Sequence, residues 1–246
     1  MTLRSLSLFI LALSVTLWTA CAGSETVTDD TGRKMPSENA AEDAIGESLM
    51  SFNEACISPR ALSQGDTFPI TLIEADTTRP TVALRQFLTL KDAGLVTSNR
   101  VVNDQRLVKN TFTLTEDGEE SLSTVYQFRG WQSALCYATP EVTRIDTIYA
   151  LRQPGPRPLA DVTFAYQLVD VAEWARRDDI QQSYPDIQDI LDTIGQTQTE
   201  QQTVVLTDTG WRALRVIRRT DGKTPPKPGE TVPSNAGNSS SDRNRW

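Results

Sequence analysis

Cysteine is the residue type in this chain best suited to chemistry. There are three, Cys21, Cys56 and Cys136, and no histidine accompanies them. Without an imidazole, Ser-His-Asp catalysis, Cys-His catalysis and histidine-rich zinc sites are excluded. Cys56 and Cys136 are far apart in sequence and form no C-x-x-C redox motif. "GKTPPKPG" contains Gly222-Lys223-Thr224 but lacks the upstream glycine and apolar strand of a phosphate-binding loop. Carboxylate chemistry survives in principle, because the chain has 32 acidic residues. Glu116 and Asp117 beside Gly118 suit a groove, or more simply a solvated turn. In "WARRDD", Arg176 or Arg177 could face a ligand, while the plain reading turns Trp174 inward and the charges outward. The rings of Trp131, Tyr137, Tyr149, Trp174 and Trp211 are core candidates, a few of which could line a pocket. No catalytic, cofactor-binding or metal-ligating residue is assigned.

The segment before the folded part explains the first cysteine. Leu6 to Trp18 is an apolar run interrupted only by Ser7, Ser14 and Thr16, with Arg4 ahead of it. That is the layout of a secretory signal. It is short for a bilayer span, which needs about 20 apolar residues. Ala20-Cys21-Ala22 also fits a plain export cleavage site, and an uncleaved anchor is the third reading. "LWTAC" resembles the lipobox of bacterial lipoproteins over the first 21 residues. The resemblance implies removal of residues 1–20, acylation of Cys21, and membrane attachment through that lipid. Ala22, which is not Asp, implies sorting to the outer membrane, with the protein facing the periplasm.

With Cys21 acylated, the odd cysteine count becomes an even pair. Cys56 and Cys136, 80 residues apart, are then expected to form a disulfide, which persists in an exported protein. Closing such a loop stabilises by about 4 to 5 kcal/mol on chain-entropy grounds. The alternative is two separate buried thiols acting as small hydrophobes.

Charge narrows the partners. The chain has 24 basic and 32 acidic residues, net −8. That argues against nucleic acid, which needs a basic footprint, and against electrostatic docking on anionic lipid. Residues 21–40 lack an apolar pattern and read as a polar tether. Residues 220–246 are rich in Pro, Gly, Ser and Asn and read as a disordered tail. The folded region is expected at 41–219, large enough for one domain or two subdomains.

Within it, Ile45, Leu49, Phe52 and Cys56 mark one face of a helix over 41–56. "TFPITLI" alternates as a short strand, with Pro69 favouring an edge. Pro80 starts a helix whose stripe is Leu84, Phe87, Leu88 and Lys91, and Gly94 ends it in a left-handed conformation. Leu95 and Val96 begin an extended piece, Thr111 to Thr115 forms another, and Glu116-Asp117-Gly118 turns. This helix, "GLV", strand and "LT-x-x-G" order resembles the second half of a winged-helix domain. Its basic residues Arg100, Arg106 and Lys109 are the ones a DNA contact would use. "FTLTEDGEESL" at 112–122 and "VVLTDTGWRAL" at 204–214 share a strand-turn pattern, from duplication or from a common local solution.

"RIDTIYAL" (144–151) and "DVTFAYQLV" (161–169) are strands, most simply an antiparallel pair. Asp170 can cap a helix carrying Val171, Trp174 and Ala175. Pro185 precedes a helix with Ile187, Ile190, Leu191 and Ile194 on one side. Thr203–Leu206 and Trp211–Ile217 read as extended. The expected class is α+β, with helices packed on antiparallel sheet and a winged-helix-like subdomain. The expected function is a non-enzymatic cell-envelope scaffold contacting an envelope protein or peptidoglycan. The alternative is a carboxylate-based hydrolase acting on envelope glycans.

Overall fold

The computed structural model describes residues 25–62, 67–74, 80–103, 107–127, 130–152 and 156–220. The expected signal segment, Cys21, Arg106 and the expected tail after Thr220 lie outside them. The fold is α+β: helices cover antiparallel sheets, as expected from the sequence.

Order begins earlier than the composition suggests. β1 (Thr26–Thr28) pairs antiparallel with β2 (Lys34–Pro36), placing Val27 opposite Met35. Asp29 builds the turn. Its Oδ1 accepts from the Thr31 and Arg33 amides at 2.9 Å each, and its carboxylate pairs with Arg33 at 2.7 Å. The Arg33 amide first, then the Thr31 hydroxyl, hold this carboxyl well below its usual range. The polar tether expected over 21–40 is therefore corrected: it folds from residue 25 onward. Polar turn bonds, which leave no apolar period, do the work.

α1 (Glu38–Ser51) starts at Ser37, whose Oγ accepts from the Ala40 amide at 3.3 Å. Ala41, Ala44, Ile45, Ser48 and Leu49 form its buried face. The helix stops before Cys56, contrary to expectation. Asn53 diverts the chain: its Oδ1 accepts from the Ala55 amide and its Nδ2 donates to the Ala138 carbonyl, both at 2.9 Å. Cys56 thus enters a strand, β3 (Cys56–Ile57).

The next segment forms a helix and a hairpin beside an edge strand. β4 (Ile70–Glu74), α2 (Val82–Asp92), β5 (Val96–Val102) and β6 (Val108–Leu114) follow in order, and the strands pair β4–β6–β5. β4 is an edge strand, as Pro69 suggests. Thr81 caps α2 and is itself held by Glu74, whose Oε1 accepts from the Thr81 hydroxyl at 2.6 Å. Leu84, Phe87 and Leu90 are the buried stripe, whereas Leu88 is exposed. Leu84 and Phe87 keep the expected stripe, and Leu90 takes the buried place expected for Leu88 and Lys91. Phe87 stacks on Phe112 of β6 with centroids 4.9 Å apart. Gly94, at φ 83°, ends the helix as expected.

The piece expected to turn at Glu116 is instead α3 (Glu116–Ser121). Thr115 caps it, and its acidic first turn suits the helix dipole. β7 (Leu122–Gln127) and β8 (Gly130–Cys136) extend the sheet order β3–β8–β7. β9 (Thr139–Ala150) and β10 (Leu159–Val169) pair antiparallel, as expected. Asp170 does not cap a helix. It sits at φ 54° in the turn, and a short 3-10 helix (Glu173–Arg176) begins after Ala172. α4 (Asp178–Ser183) and α5 (Asp186–Leu191) then lead to β11 (Gln198–Thr207), β12 (Gly210–Ala213) and α6 (Leu214–Thr220). A four-stranded sheet runs β12–β11–β10–β9. Trp211–Ile217, expected to be extended throughout, switches to helix at Leu214.

The two "LT-x-x-G" segments are not copies of one unit. After Thr115 the chain forms a helix, and Gly118 lies against the Leu95 carbonyl. After Thr207 it forms a hairpin, and Gly210 supplies φ 113°. Two large apolar cores form among the described residues, besides a small cluster at Cys56. One lies beneath α2, α4 and α5 and includes Phe87, Phe112, Tyr137 and Ile187. The other joins α1 to the β12–β9 sheet through Ile45, Val162, Phe164 and Trp211.

Candidate functional site

Cys56 and Cys136 are bonded to each other. They face one another in the β3–β8 register. The Tyr137 amide donates to the Ala55 carbonyl at 2.9 Å, one step along the ladder. Alternation makes Cys56 and Cys136 the non-hydrogen-bonded pair, whose side chains lie closest. Val125 and Ala134 pack beside the bond.

A cavity of about 580 Å³ opens next to it. Its wall runs from Glu54, Cys56 and Ser58 around to α5, which brings Asp186 and Asp189. Two phenols complete it. Tyr137 is almost fully buried, and burial first, then the Asp186 and Glu54 carboxylates, push its pKa up. Tyr184 is 8% exposed, and its buried hydroxyl has no partner among the described residues. Burial alone pushes that phenol up as well. Both rings therefore stay neutral, in a wall that also carries Glu54, Asp186 and Asp189. Ser183 shares a hydrogen bond with Thr89 at 3.0 Å, fixing the start of this wall to α2. The arrangement presents negative charge, neutral donors and apolar walls from Ile57, Ile187 and Ile190. It suits a positively charged group with an apolar stem.

A second cavity, about 430 Å³, lies over β11 and is bordered by α6. It has the opposite sign. Arg215 donates from Nε to Ser48 Oγ at 2.9 Å and lies 4.5 Å from the Phe52 ring centroid. Arg218 and Arg219 are exposed beside it.

The residues singled out from sequence are dispersed. Glu116 and Asp117 sit on the exposed first turn of α3, away from both cavities. Arg177 pairs with Asp179 at 2.8 Å, and Arg176 is exposed. Trp131, Tyr137 and Trp211 are buried, Trp174 is half-buried, and Tyr149 is 64% exposed. Of these, Tyr137 alone lines the larger cavity. Glu54, Asp186, Asp189 and the α6 arginines were not legible as sites. The arginine spacing 215, 218, 219 is a helical signal, but an extended reading of that segment hid it.

No protein-family model, curated protein or solved structure matches the chain.

Proposed function

We propose that this protein is a non-enzymatic interaction scaffold of the bacterial cell envelope, attached to the outer membrane by a lipid on Cys21. Its partner is a protein that presents a basic side chain to the cavity of Glu54, Asp186 and Asp189. The observation that carries the reading is this acidic cavity, walled in part by Tyr184 and built against a disulfide. A disulfide fits an oxidising compartment outside the cytoplasm. Three residues, 22–24, separate Cys21 from Glu25, where the described structure begins. Four extended steps span at most about 14 Å, so a lipid on Cys21 would hold the folded domain against the membrane surface.

Crosslinking in intact envelopes tests the reading. Wild type should yield a discrete crosslinked partner, and Asp186→Asn/Asp189→Asn should lose it while remaining membrane-bound. Cys21→Ser should release the protein from the membrane. Retention of the same partner by the double Asn variant would reject the cavity as the binding site. The three carboxylates also favour a second reading, hydrolysis of envelope glycans. Release of reducing ends from purified sacculi, abolished by Asp186→Asn, would establish it in place of the first.

A further inference from the structure

The cavity over β11 concentrates positive charge in a chain of net charge −8. Arg215, Arg218 and Arg219 occupy three positions of α6, spaced so that they share a helix face. Arg218 and Arg219 make no ion pair among the described residues, while Arg212 nearby is paired with Glu47. Arg219 lies 5.7 Å from the Phe52 ring centroid. Arg215 is partly buried, and burial disfavours its charge. An incoming anion would offset that cost.

The floor has a different character. Gln202 is 9% exposed, and its Oε1 has no hydrogen-bond partner among the described residues. Its Nε2 is directed to Glu200 at 3.4 Å, which leaves the carbonyl oxygen as the open acceptor. Glu200 also accepts from the Tyr166 hydroxyl at 3.2 Å. A bare oxyanion would meet the Glu200 carboxylate here and could donate nothing to Gln202. A ligand carrying hydroxyl donors at one end and an anion at the other satisfies both regions. Leu214 adds an apolar surface against which ring C–H groups can pack.

We propose that this cavity binds a carboxylated sugar unit of an acidic glycan, with a ring hydroxyl donating to Gln202 Oε1 and the carboxylate held by Arg218 and Arg219. The site is separate from the acidic cavity and does not depend on how the chain is anchored. Charge-assisted hydrogen bonds from arginine to carboxylate supply most of the affinity. The Gln202 contact distinguishes a hydroxylated acid from a simple anion.

Calorimetric titration of the full chain with tetragalacturonate, its methyl ester and inorganic phosphate tests the assignment at low ionic strength. Tetragalacturonate should bind, and both the methyl ester and phosphate should bind at least about tenfold more weakly, the scale of one lost charged hydrogen bond. Arg218→Ser/Arg219→Ser, both exposed positions, should weaken tetragalacturonate by about tenfold or more. Gln202→Leu should weaken tetragalacturonate and leave phosphate unchanged. It removes a buried carbonyl oxygen that has no partner at the loss of one long bond to Glu200, so it should still fold. Equal binding of acid and ester, phosphate binding as tight as the sugar, an unaffected double arginine variant, or no binding would each overturn the proposal.

Discussion

Gly118 tests the fold most sharply. The Thr115 hydroxyl accepts from the Gly118 amide at 3.1 Å and donates to the Gly94 carbonyl at 2.6 Å, while the Thr115 amide donates to the Leu95 carbonyl at 3.0 Å. These bonds draw α3 against the end of α2. A Cβ on Gly118 would lie 2.0 Å from the Leu95 backbone oxygen and 3.0 Å from Leu114 Cδ2. The first neighbour is backbone and cannot swing aside. Separation to van der Waals distance needs more than about 1 Å of movement, which would strain both the Thr115 cap and the β5–β6 hairpin. Gly118→Ala should therefore destabilise by about 3 kcal/mol, at the upper end for overpacking. For a domain of this size that lowers Tm by roughly 6 to 12 °C. Gly46, inside α1, is the control, since a Cβ there meets nothing within 4 Å. Gly46→Ala should stabilise by about 0.5 to 1 kcal/mol through helix propensity. Thermal unfolding of both variants, followed by circular dichroism, decides the matter. A Gly118→Ala variant melting at or above wild type would refute the close approach.

Replacing both Cys56 and Cys136 by Ala should cost up to about 4.5 kcal/mol from the chain entropy of an 80-residue separation, measured by urea unfolding. Peptide mapping without reductant should recover that linked pair. Intact-mass analysis of the mature protein should find acylated Cys21 and loss of residues 1–20; an unmodified N-terminus would reject lipidation. Burial first, then Glu200, push the Tyr166 phenol up to about 12. Because the folded value is raised, the associated stability is intact below the unfolded value of about 10 and is lost as pH rises from there through about 12. Tyr166→Phe should shallow the fall in Tm across that window. Duplex DNA should not bind the full chain at either low or high salt, although Arg100 and Lys109 are exposed on the β5–β6 hairpin; tight, salt-sensitive binding would contradict the acidic balance.

Short-range patterns carried what was legible in the chain. Alternation of Val162, Phe164, Tyr166 and Leu168 sufficed for β10, because each strand residue reports its own face. Gly94 and Pro185 marked helix boundaries, since their backbone constraints are local. The missing histidines removed whole reaction classes without reference to any fold. Tertiary structure decided the remainder. Cys56 belongs to β3 instead of the preceding helix because Asn53 finds the Ala138 carbonyl, a bond 85 residues away in sequence. β1 and β2 stand where composition suggested a tether, because Asp29 closes their turn and the Trp211 indole reaches Thr26 at 3.2 Å. Arg215 to Arg219 form a helix because α6 packs against β11 and α1. Both cavities arise where distant elements converge: Glu54 meets Asp186, and Gln202 meets α6. No local period records such meetings, because long-range packing chooses which polar side chains share a space.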